Sequence, residues 1–215
     1  LVIVTALADP PPRTGFIDRC LVAAYAGGLR PLLCLTKSDL ASGDHIAAEY
    51  ADLAPTVVTR FDVEPLALKE KLHGKVSAFF GHSGVGKSTL INTLVPGADL
   101  RTGEVSAVGK GRHTSVAALA LALPHGGWVI DTPGVRSFGL AHIGADDIVA
   151  AFDEFAEAAE ECPPNCGHLG SPVDPDCALD TVVDDTATGT ASGRRLASLR
   201  RLLASRAGAG GTETG

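Results

Sequence analysis

The chain has 215 residues, of which 45% are hydrophobic and 20% charged, and its formal net charge is −7. This composition excludes global disorder, and the acidic balance excludes a protein that coats nucleic acid non-specifically. No apolar run is long enough to span a bilayer and the opening has no signal-peptide pattern, so we expect a cytoplasmic protein. The sequence contains no methionine and opens inside a strand-like run, which we interpret as a piece of a longer protein.

The first part of the chain alternates short apolar runs with amphipathic stretches. The apolar runs predict buried strands at 1–7, 31–37, 55–61 and 75–81, and the stretches between them predict helices at 16–28, 44–53 and 64–72. Gly27 and Gly28 would end the first helix. Strands and helices that alternate at this spacing predict a parallel α/β sheet with helices on both faces.

The pattern changes twice further along the chain. A helix at 87–95 is followed by two predicted strands, 115–123 and 127–134, joined by a turn as an antiparallel pair. From about residue 144 an acidic helical stretch (145–162), a cysteine cluster and a basic amphipathic helix (194–206) follow. We therefore predict a nucleotide-binding domain at 1–145, a small C-terminal helical domain at 146–208 and a flexible tail at 209–215.

The stretch GHSGVGKST leaves a predicted strand and opens a predicted helix. It matches the phosphate-loop formula G-x-x-x-x-G-K-[ST], whose glycines let successive backbone N–H groups point at phosphate oxygens. The helix N-terminus adds partial positive charge. Lys87 would reach the β- and γ-phosphates, and Ser88 would hold Mg²⁺. The predicted nucleotide contacts here are Gly81, His82, Ser83, Gly84, Val85, Gly86, Lys87, Ser88 and Thr89.

Two motifs lie between this loop and the acidic stretch. DTPG places Asp131 at a strand end, where its carboxylate would hold the Mg²⁺ through water, and the N–H of Gly134 would contact the γ-phosphate. The glycine-rich stretch GEVSAVGKGRHTS has the polarity and length of a switch loop. Within it Thr114 is the candidate second Mg²⁺ ligand, ordered when the γ-phosphate is present.

The stretch TKSD closes a predicted strand upstream of the phosphate loop. Asp39 would accept hydrogen bonds from N1–H and the exocyclic amine of guanine, and an unpaired buried carboxylate would disfavour adenine, which lacks that donor pair. Lys37 would lie along the base plane, and Ser38 completes the motif. Thr36 stands where this motif usually has asparagine, and its hydroxyl would bond to the phosphate loop.

The motifs stand in a rotated order: base reader, phosphate loop, switch threonine, metal aspartate. A circular permutation of a parallel sheet produces this order without disturbing the site. The rotated order, the stretches GHSGVGKSTLIN, GKGRHTS and DTPGVRSFGL, and the trailing Cys-Cys-His-Cys cluster resemble the bacterial ribosome small subunit-dependent GTPase A family (RsgA, YjeQ type). The opening FIDRCLVAAYAGGLRPLLCLTKSDL is similar to that family too, and the likeness runs to about Arg206.

This resemblance implies a phosphate-loop NTPase fold, namely a circularly permuted GTPase domain with a C-terminal zinc-binding domain. It also implies a monomer that hydrolyses GTP with Mg²⁺, stimulated by the small (30S) ribosomal subunit and its 16S rRNA during late subunit maturation. The family carries an N-terminal OB-fold ahead of the GTPase domain, which fits a piece of a longer protein. Departures from the family pattern are Thr36 in place of Asn, Lys110 in place of Arg, and the spacing of the cysteine cluster.

The residue that would orient the attacking water is not evident from the motifs. Val135 stands where Ras-like proteins place a glutamine, and valine cannot orient water. The family resemblance makes His113 the candidate, because a neutral imidazole can accept a hydrogen bond from water. The alternative is a solvated loop histidine.

The cysteines divide into two kinds. Cys162, Cys166, His168 and Cys177 would close a tetrahedral shell around Zn²⁺, which is typical of a structural site that staples an appendage too small for its own core. Reduced cysteines without a metal are the alternative. Cys20 and Cys34 stand in apolar surroundings and are predicted to be buried thiols.

The basic helix at 194–206 allows two interpretations. Leu196, Leu199 and Leu203 share one helical face, and the remaining surface is rich in arginine: Arg194, Arg195, Arg200, Arg201 and Arg206. The arginines would contact rRNA phosphates, or the helix is solvated and packed by its leucines. For the whole chain, a nucleotide-gated binding module and an ATP-using kinase are the alternatives to a GTPase, and TKSD disfavours the kinase.

Overall fold

The computed structural model describes residues 1–100, 118–132, 143–183 and 191–209, which form a six-stranded sheet and eight helices. The strands are β1 (Val2–Ala6), β2 (Leu32–Thr36), β3 (Thr56–Val58), β4 (Val76–Phe80), β5 (Leu119–Ala122) and β6 (Trp128–Asp131). The helices are α1 (Thr14–Ala26), α2 (Asp44–Tyr50), α3 (Leu66–Leu72), α4 (Lys87–Leu94), α5 (Ala145–Val149), α6 (Asp153–Ala159), α7 (Leu179–Val182) and α8 (Ala191–Ala209). None of the helices in these ranges is long and apolar enough to cross a membrane.

The sheet has the strand order β3-β2-β1-β4-β6-β5. Neighbouring strands are parallel except for β5, which runs antiparallel to β6. Ala6 of β1 pairs in register with Thr36 of β2, and Phe79 of β4 pairs with Asp131 of β6. The predicted parallel sheet with one antiparallel pair is confirmed, and the five parallel strands end at one edge.

The central strands form where the sequence is apolar without interruption. All five residues of β1 (VIVTA) and of β2 (LLCLT) are buried. Such near-continuous runs are typical of parallel strands covered on both faces. The first helix ends as predicted, because Gly28 adopts a φ of +62° and Leu29 N–H donates to the Ala24 carbonyl at 2.8 Å.

The chain divides into two compact units that are not consecutive in sequence. The first contains the sheet, α3, α4 and α2 up to Glu49, and the second contains α1, the segment Tyr50–Leu53 and α5 to α8. The predicted domain boundary at residue 145 stays a prediction. In the structure α1 lies in the same compact unit as the C-terminal helices.

The core of the first unit joins α3 and α4 to the sheet. Strand side chains such as Val4, Cys34 and Phe79 pack in one cluster with Leu72 and Ile91 from these helices. All five are no more than 1% exposed. This burial holds β4 and α4 on either side of the predicted phosphate loop in a fixed geometry.

The core of the second unit is built around α8 and α1, which pack together. The leucine face predicted for α8 is confirmed, since Leu196, Leu199 and Leu203 are 5%, 0% and 1% exposed. The guanidinium of Arg201 on α8 lies 3.8 Å from Asp18 of α1 and 4.8 Å above the ring of Tyr50. The segment Tyr50–Leu53 is thereby held within this unit.

The acidic stretch 145–162 is helical, as predicted, but it forms two short helices. The chain between α5 and α6 is interrupted at Phe152, whose backbone has φ −116° and ψ 88°. The Phe152 ring is 1% exposed and packs 5.0 Å from the ring of Tyr25 and 5.2 Å from the guanidinium of Arg195. The break follows from this burial, because tertiary packing overrides the local helix propensity of the alanine- and glutamate-rich sequence.

Candidate nucleotide site and metal centre

The glycine-rich loop between β4 and α4 makes a tight turn. Gly84 and Gly86 have φ values of +83° and +87°, which favour glycine, and Gly86 leads directly into α4. A Cβ on Gly81 would lie 2.8 Å from the Val4 carbonyl oxygen and 2.9 Å from Val85. The loop therefore packs against β1, and its N–H groups precede the positive end of α4, as an anion site requires.

The end of β2 is fastened to this loop by one hydroxyl. Thr36 is 6% exposed, and its Oγ1 donates to the Val85 carbonyl oxygen at 2.6 Å and lies 3.3 Å from the Thr5 carbonyl oxygen. The hydrogen bond predicted between Thr36 and the phosphate loop is therefore present. The threonine hydroxyl makes this contact with its single donor hydrogen.

The residues that follow β2 face a cavity. Lys37 adopts φ +59° and its Nζ donates to the Asp9 carbonyl oxygen, while Asp39 is exposed. Asp39 lines a cavity of about 280 Å³. The other lining residues are Thr36, Lys37, Leu40, Thr59, Arg60, Phe61, Val63, Pro65, Gly86, Thr89, Leu90 and Thr93. The structure thus brings the predicted base reader and the start of α4 to one pocket.

One wall of this pocket was missed by the sequence analysis. This wall is the segment 59–65, which follows β3. Thr59 N–H donates to the Leu35 carbonyl at 2.7 Å, and Ser38 N–H donates to the Thr59 carbonyl at 3.4 Å. Beyond Thr59, Phe61 is 79% exposed at the cavity. The signal was available, because strands at 31–37 and 55–61 were predicted for one parallel sheet, and parallel strands end at the same edge of a sheet.

Lys87, the first residue of α4, meets Asp131, the last residue of β6. The Lys87 ammonium donates to the Asp131 carboxylate, and the two side chains are 10% and 9% exposed. The end of β6 is fixed by Thr132, whose hydroxyl donates to the Phe79 carbonyl at 2.7 Å. A cation and a carboxylate at this edge are the groups that bind phosphate and hydrated Mg²⁺ respectively.

Three predicted site residues lie outside the described residues: His113, Thr114 and Gly134. The chain leading to the first two is anchored to α4 by Asn92. Its amide nitrogen donates to the Leu100 carbonyl at 2.8 Å, and its amide oxygen accepts from Leu100 N–H at 2.9 Å. Leu100, the last described residue before this stretch, is therefore held to the helix that follows the phosphate loop.

The four predicted metal ligands converge in the second unit. One ligand atom from each of Cys162, Cys166, His168 and Cys177 lies within 4.8 Å of all the others. Vertices of a tetrahedral zinc–sulfur shell are separated by about 3.8 Å. His168 Nδ1 lies 3.4 Å from Cys162 Sγ, and the side chain of His168 is 2% exposed. The donor set and its spacing fit Zn²⁺.

The arginines of α8 are occupied within the second unit. Arg195 donates to Glu154 and, at 2.5 Å, to the Asp52 carbonyl, and Arg206 donates to the Ile143 carbonyl at 2.6 Å. Arg200 reaches Asp180 at 2.6 Å. These contacts favour the interpretation of α8 as a packed helix over one that offers its arginines to rRNA phosphates.

Cys20 and Cys34 are buried thiols. Both are 0% exposed, and burial raises the pKa of each to about 12.

We expect neither to react with a thiol reagent in the native protein at pH 8, and both to react after unfolding, as measured by peptide mapping of alkylated cysteines. Because the folded pKa of each thiol lies above its ordinary value of 9.0, both thiols stay neutral below pH 9, and stability should fall only as the pH rises beyond 9. Native labelling of either cysteine would contradict this.

Comparison with known proteins identifies the family of this chain. The RsgA GTPase family model matches residues 1–141. The chain belongs to the RsgA GTPase family. It is 40% identical to the small ribosomal subunit biogenesis GTPase RsgA of Pseudomonas aeruginosa (strain LESB58) and 39% identical to that of Azotobacter vinelandii, covering 95% of this chain in each case. It spans 62% and 61% of the length of these RsgA relatives.

Two solved structures have the same fold as this RsgA-family chain. The crystal structure of YjeQ from Thermotoga maritima matches 94% of this chain and 70% of its own, with a TM-score of 0.64 and 28% identity. YloQ, described as a circularly permuted GTPase, matches 94% of this chain and 67% of its own, with a TM-score of 0.60 and 22% identity. The circularly permuted fold predicted from the motif order is confirmed.

Proposed function

We propose that this chain is the GTP-binding and GTP-hydrolysing part of a factor that acts in late maturation of the small ribosomal subunit. The observation that carries the proposal is the hydrogen bond from Thr36 at the end of the TKSD strand to Val85 in the phosphate loop. It joins a guanine reader to a phosphate site across a permuted chain. The names of the RsgA relatives, which refer to small ribosomal subunit biogenesis, support the process.

The proposed nucleotide contacts follow the two motifs. Asp39 selects guanine, Lys37 lies along the base, and backbone N–H groups of residues 81–89 hold the phosphates. Lys87 neutralises the β- and γ-phosphates. Mg²⁺ would be held by Ser88 and Thr114, with Asp131 acting through water, and it would supply charge neutralisation at the γ-phosphate. The ion pair between Lys87 and Asp131 supports this arrangement, since it places both charges at one end of the loop.

Replacing Asp39 with asparagine should shift base preference from GTP towards XTP. An amide side chain can donate to the 2-oxo group of xanthine, and it no longer accepts both guanine donors. Preference for GTP over XTP should fall by about 100-fold, which corresponds to about 2.7 kcal/mol. Competition binding with the two nucleotides measures this. The matched control is Asp62→Asn, which removes a nearby carboxylate that pairs with Arg60. Equal preference in wild type and Asp39→Asn would refute the base assignment.

The proposed water-positioning residue is His113. Neutral imidazole would accept a hydrogen bond from the attacking water once the small subunit orders the loop that carries it. Replacing His113 with alanine should abolish most of the subunit-stimulated turnover and leave GTP binding unchanged, as measured by phosphate release and nucleotide titration. Unchanged stimulated turnover in that variant would show that His113 does not position the attacking water.

The proposed partners are GTP and GDP, the small ribosomal subunit and its 16S rRNA. We further propose that the protein acts as a monomer in the cytoplasm. The decisive experiment measures GTP turnover of the full-length protein with and without purified small subunits. Strong stimulation supports a subunit-dependent GTPase, whereas nucleotide-controlled docking without stimulation would favour a binding module in which turnover is incidental.

The proposed role of the cysteine cluster is structural. Three thiolates and one imidazole leave no open position for chemistry on a bound zinc ion. The convergence of the four donor atoms in a loop-rich part of the chain supports a zinc staple.

A further inference from the structure

We propose that Asp146 is a positioning residue for the metal ligand His168, an inference that rests on the proposed zinc site. The two ring nitrogens of His168 face in different directions. Nδ1 lies 3.4 Å from Cys162 Sγ, inside the cysteine cluster, whereas Nε2 lies 2.8 Å from Asp146 Oδ1 on α5. The ring is 2% exposed, while the side chain of Asp146 is 90% exposed.

This geometry assigns the proton on the ring. A carboxylate beside Nε2 accepts a hydrogen bond from Nε2–H, so the lone pair stays on Nδ1, the nitrogen that faces the sulfur atoms. Such a partner fixes the tautomer and the orientation of a metal-bound histidine. Asp146 therefore selects which nitrogen binds the metal.

The backbone of His168 is held by other groups. Its N–H lies 3.4 Å from Cys166 Sγ, and its carbonyl oxygen accepts from Arg200 Nε at 3.3 Å. These contacts place the Cα, while the ring is oriented at Nδ1 by Cys162 and at Nε2 by Asp146. The start of α5 does not depend on Asp146 either, because Gly144 N–H donates to the neighbouring Asp147 at 2.7 Å. Removing the Asp146 carboxylate should thus release the ring and leave both the loop and α5 in place.

The test uses the zinc-loaded full-length protein and a competing chelator. Asp146→Ala should weaken zinc retention by about 10- to 100-fold, and Asp146→Asn, which keeps an acceptor oxygen, should lose less. The matched control is Glu160→Gln, which removes an acidic group that lines the same groove as Cys162 and His168. Retention in Asp146→Ala within twofold of both wild type and Glu160→Gln would overturn the proposal.

A second measurement needs no variant and so does not depend on how Asp146→Ala folds. ¹⁵N spectra of the imidazole in the zinc-loaded wild type should show a protonated Nε2 and a metal-bound Nδ1. Metal binding through Nε2 would overturn the role of Asp146 and leave the zinc site standing. A purified wild-type protein without stoichiometric zinc would overturn the zinc site itself, so the two failures are distinguishable.

Discussion

Replacing Lys87 with alanine should lower GTP turnover of the full-length protein by about 100- to 1,000-fold, the usual loss when one preorganised donor to developing charge is removed. It should also lower the free energy of unfolding without nucleotide by about 3 kcal/mol, because the Asp131 carboxylate, 9% exposed, loses its ammonium partner. Phosphate release and urea unfolding measure the two effects.

The two effects of the Lys87 change can be separated. Adding Asp131→Asn to the variant should recover most of the lost stability and none of the turnover, because a neutral amide needs no counter-ion. The matched control is Lys69→Ala, which breaks a more exposed pair with Glu64 at 2.6 Å and should cost far less stability, because solvent screens exposed ion pairs. A Lys87→Ala protein that hydrolyses GTP within tenfold of wild type would be incompatible with the proposed site.

If the proposed zinc site is occupied, removing the ion should unfold the second unit. Chelation, or replacement of Cys177 with serine, should cost about 5 kcal/mol or more, since structural zinc contributes its binding free energy directly to folding. Cys177 is 3% exposed and lies beside the guanidinium of Arg200. A zinc ion at the proposed site would join four positions of the chain, and its removal would break all four links. Circular dichroism during thermal unfolding, with and without chelator, measures the loss.

The control for metal removal is another buried cysteine of the same unit. Cys20 is 0% exposed on α1, and Cys20→Ala should cost only about 1 kcal/mol through a small cavity. Chelator should therefore destabilise Cys20→Ala as strongly as wild type and have no further effect on Cys177→Ser. An unfolding midpoint of wild type that chelator does not change would contradict a structural metal.

Local patterns in the sequence were sufficient to predict much of the first unit. The uninterrupted apolar runs of β1 and β2 and the glycines at 84 and 86 each act through near neighbours. Motif order was sufficient to predict the permutation. The bond from Thr36 was predictable because β2 and β4 end at the same edge, on either side of β1.

The second unit could not be predicted in the same way, because its contacts join distant parts of the sequence. The break at Phe152 depends on Tyr25 and Arg195, and the position of Arg201 depends on Asp18. From the sequence alone, an arginine that stacks on a buried ring is indistinguishable from one that faces solvent. The positive charge of α8 favoured its interpretation as an rRNA contact. The hydrogen bonds and ion pairs of its arginines within the second unit weaken that interpretation.

The joining of α1 and α8 in one unit has a consequence for synthesis. Ala191, the first residue of α8, follows Ala26, the last residue of α1, by 165 positions. At usual bacterial and eukaryotic rates of translation, α1 leaves the ribosome roughly 10 to 30 seconds before its partner exists. During that interval Ile17 and Leu21, both fully buried at the end of folding, lack the helix against which α1 packs. The nascent chain therefore carries an exposed apolar helix that chaperones can bind, and a stop codon before α8 would make this exposure permanent.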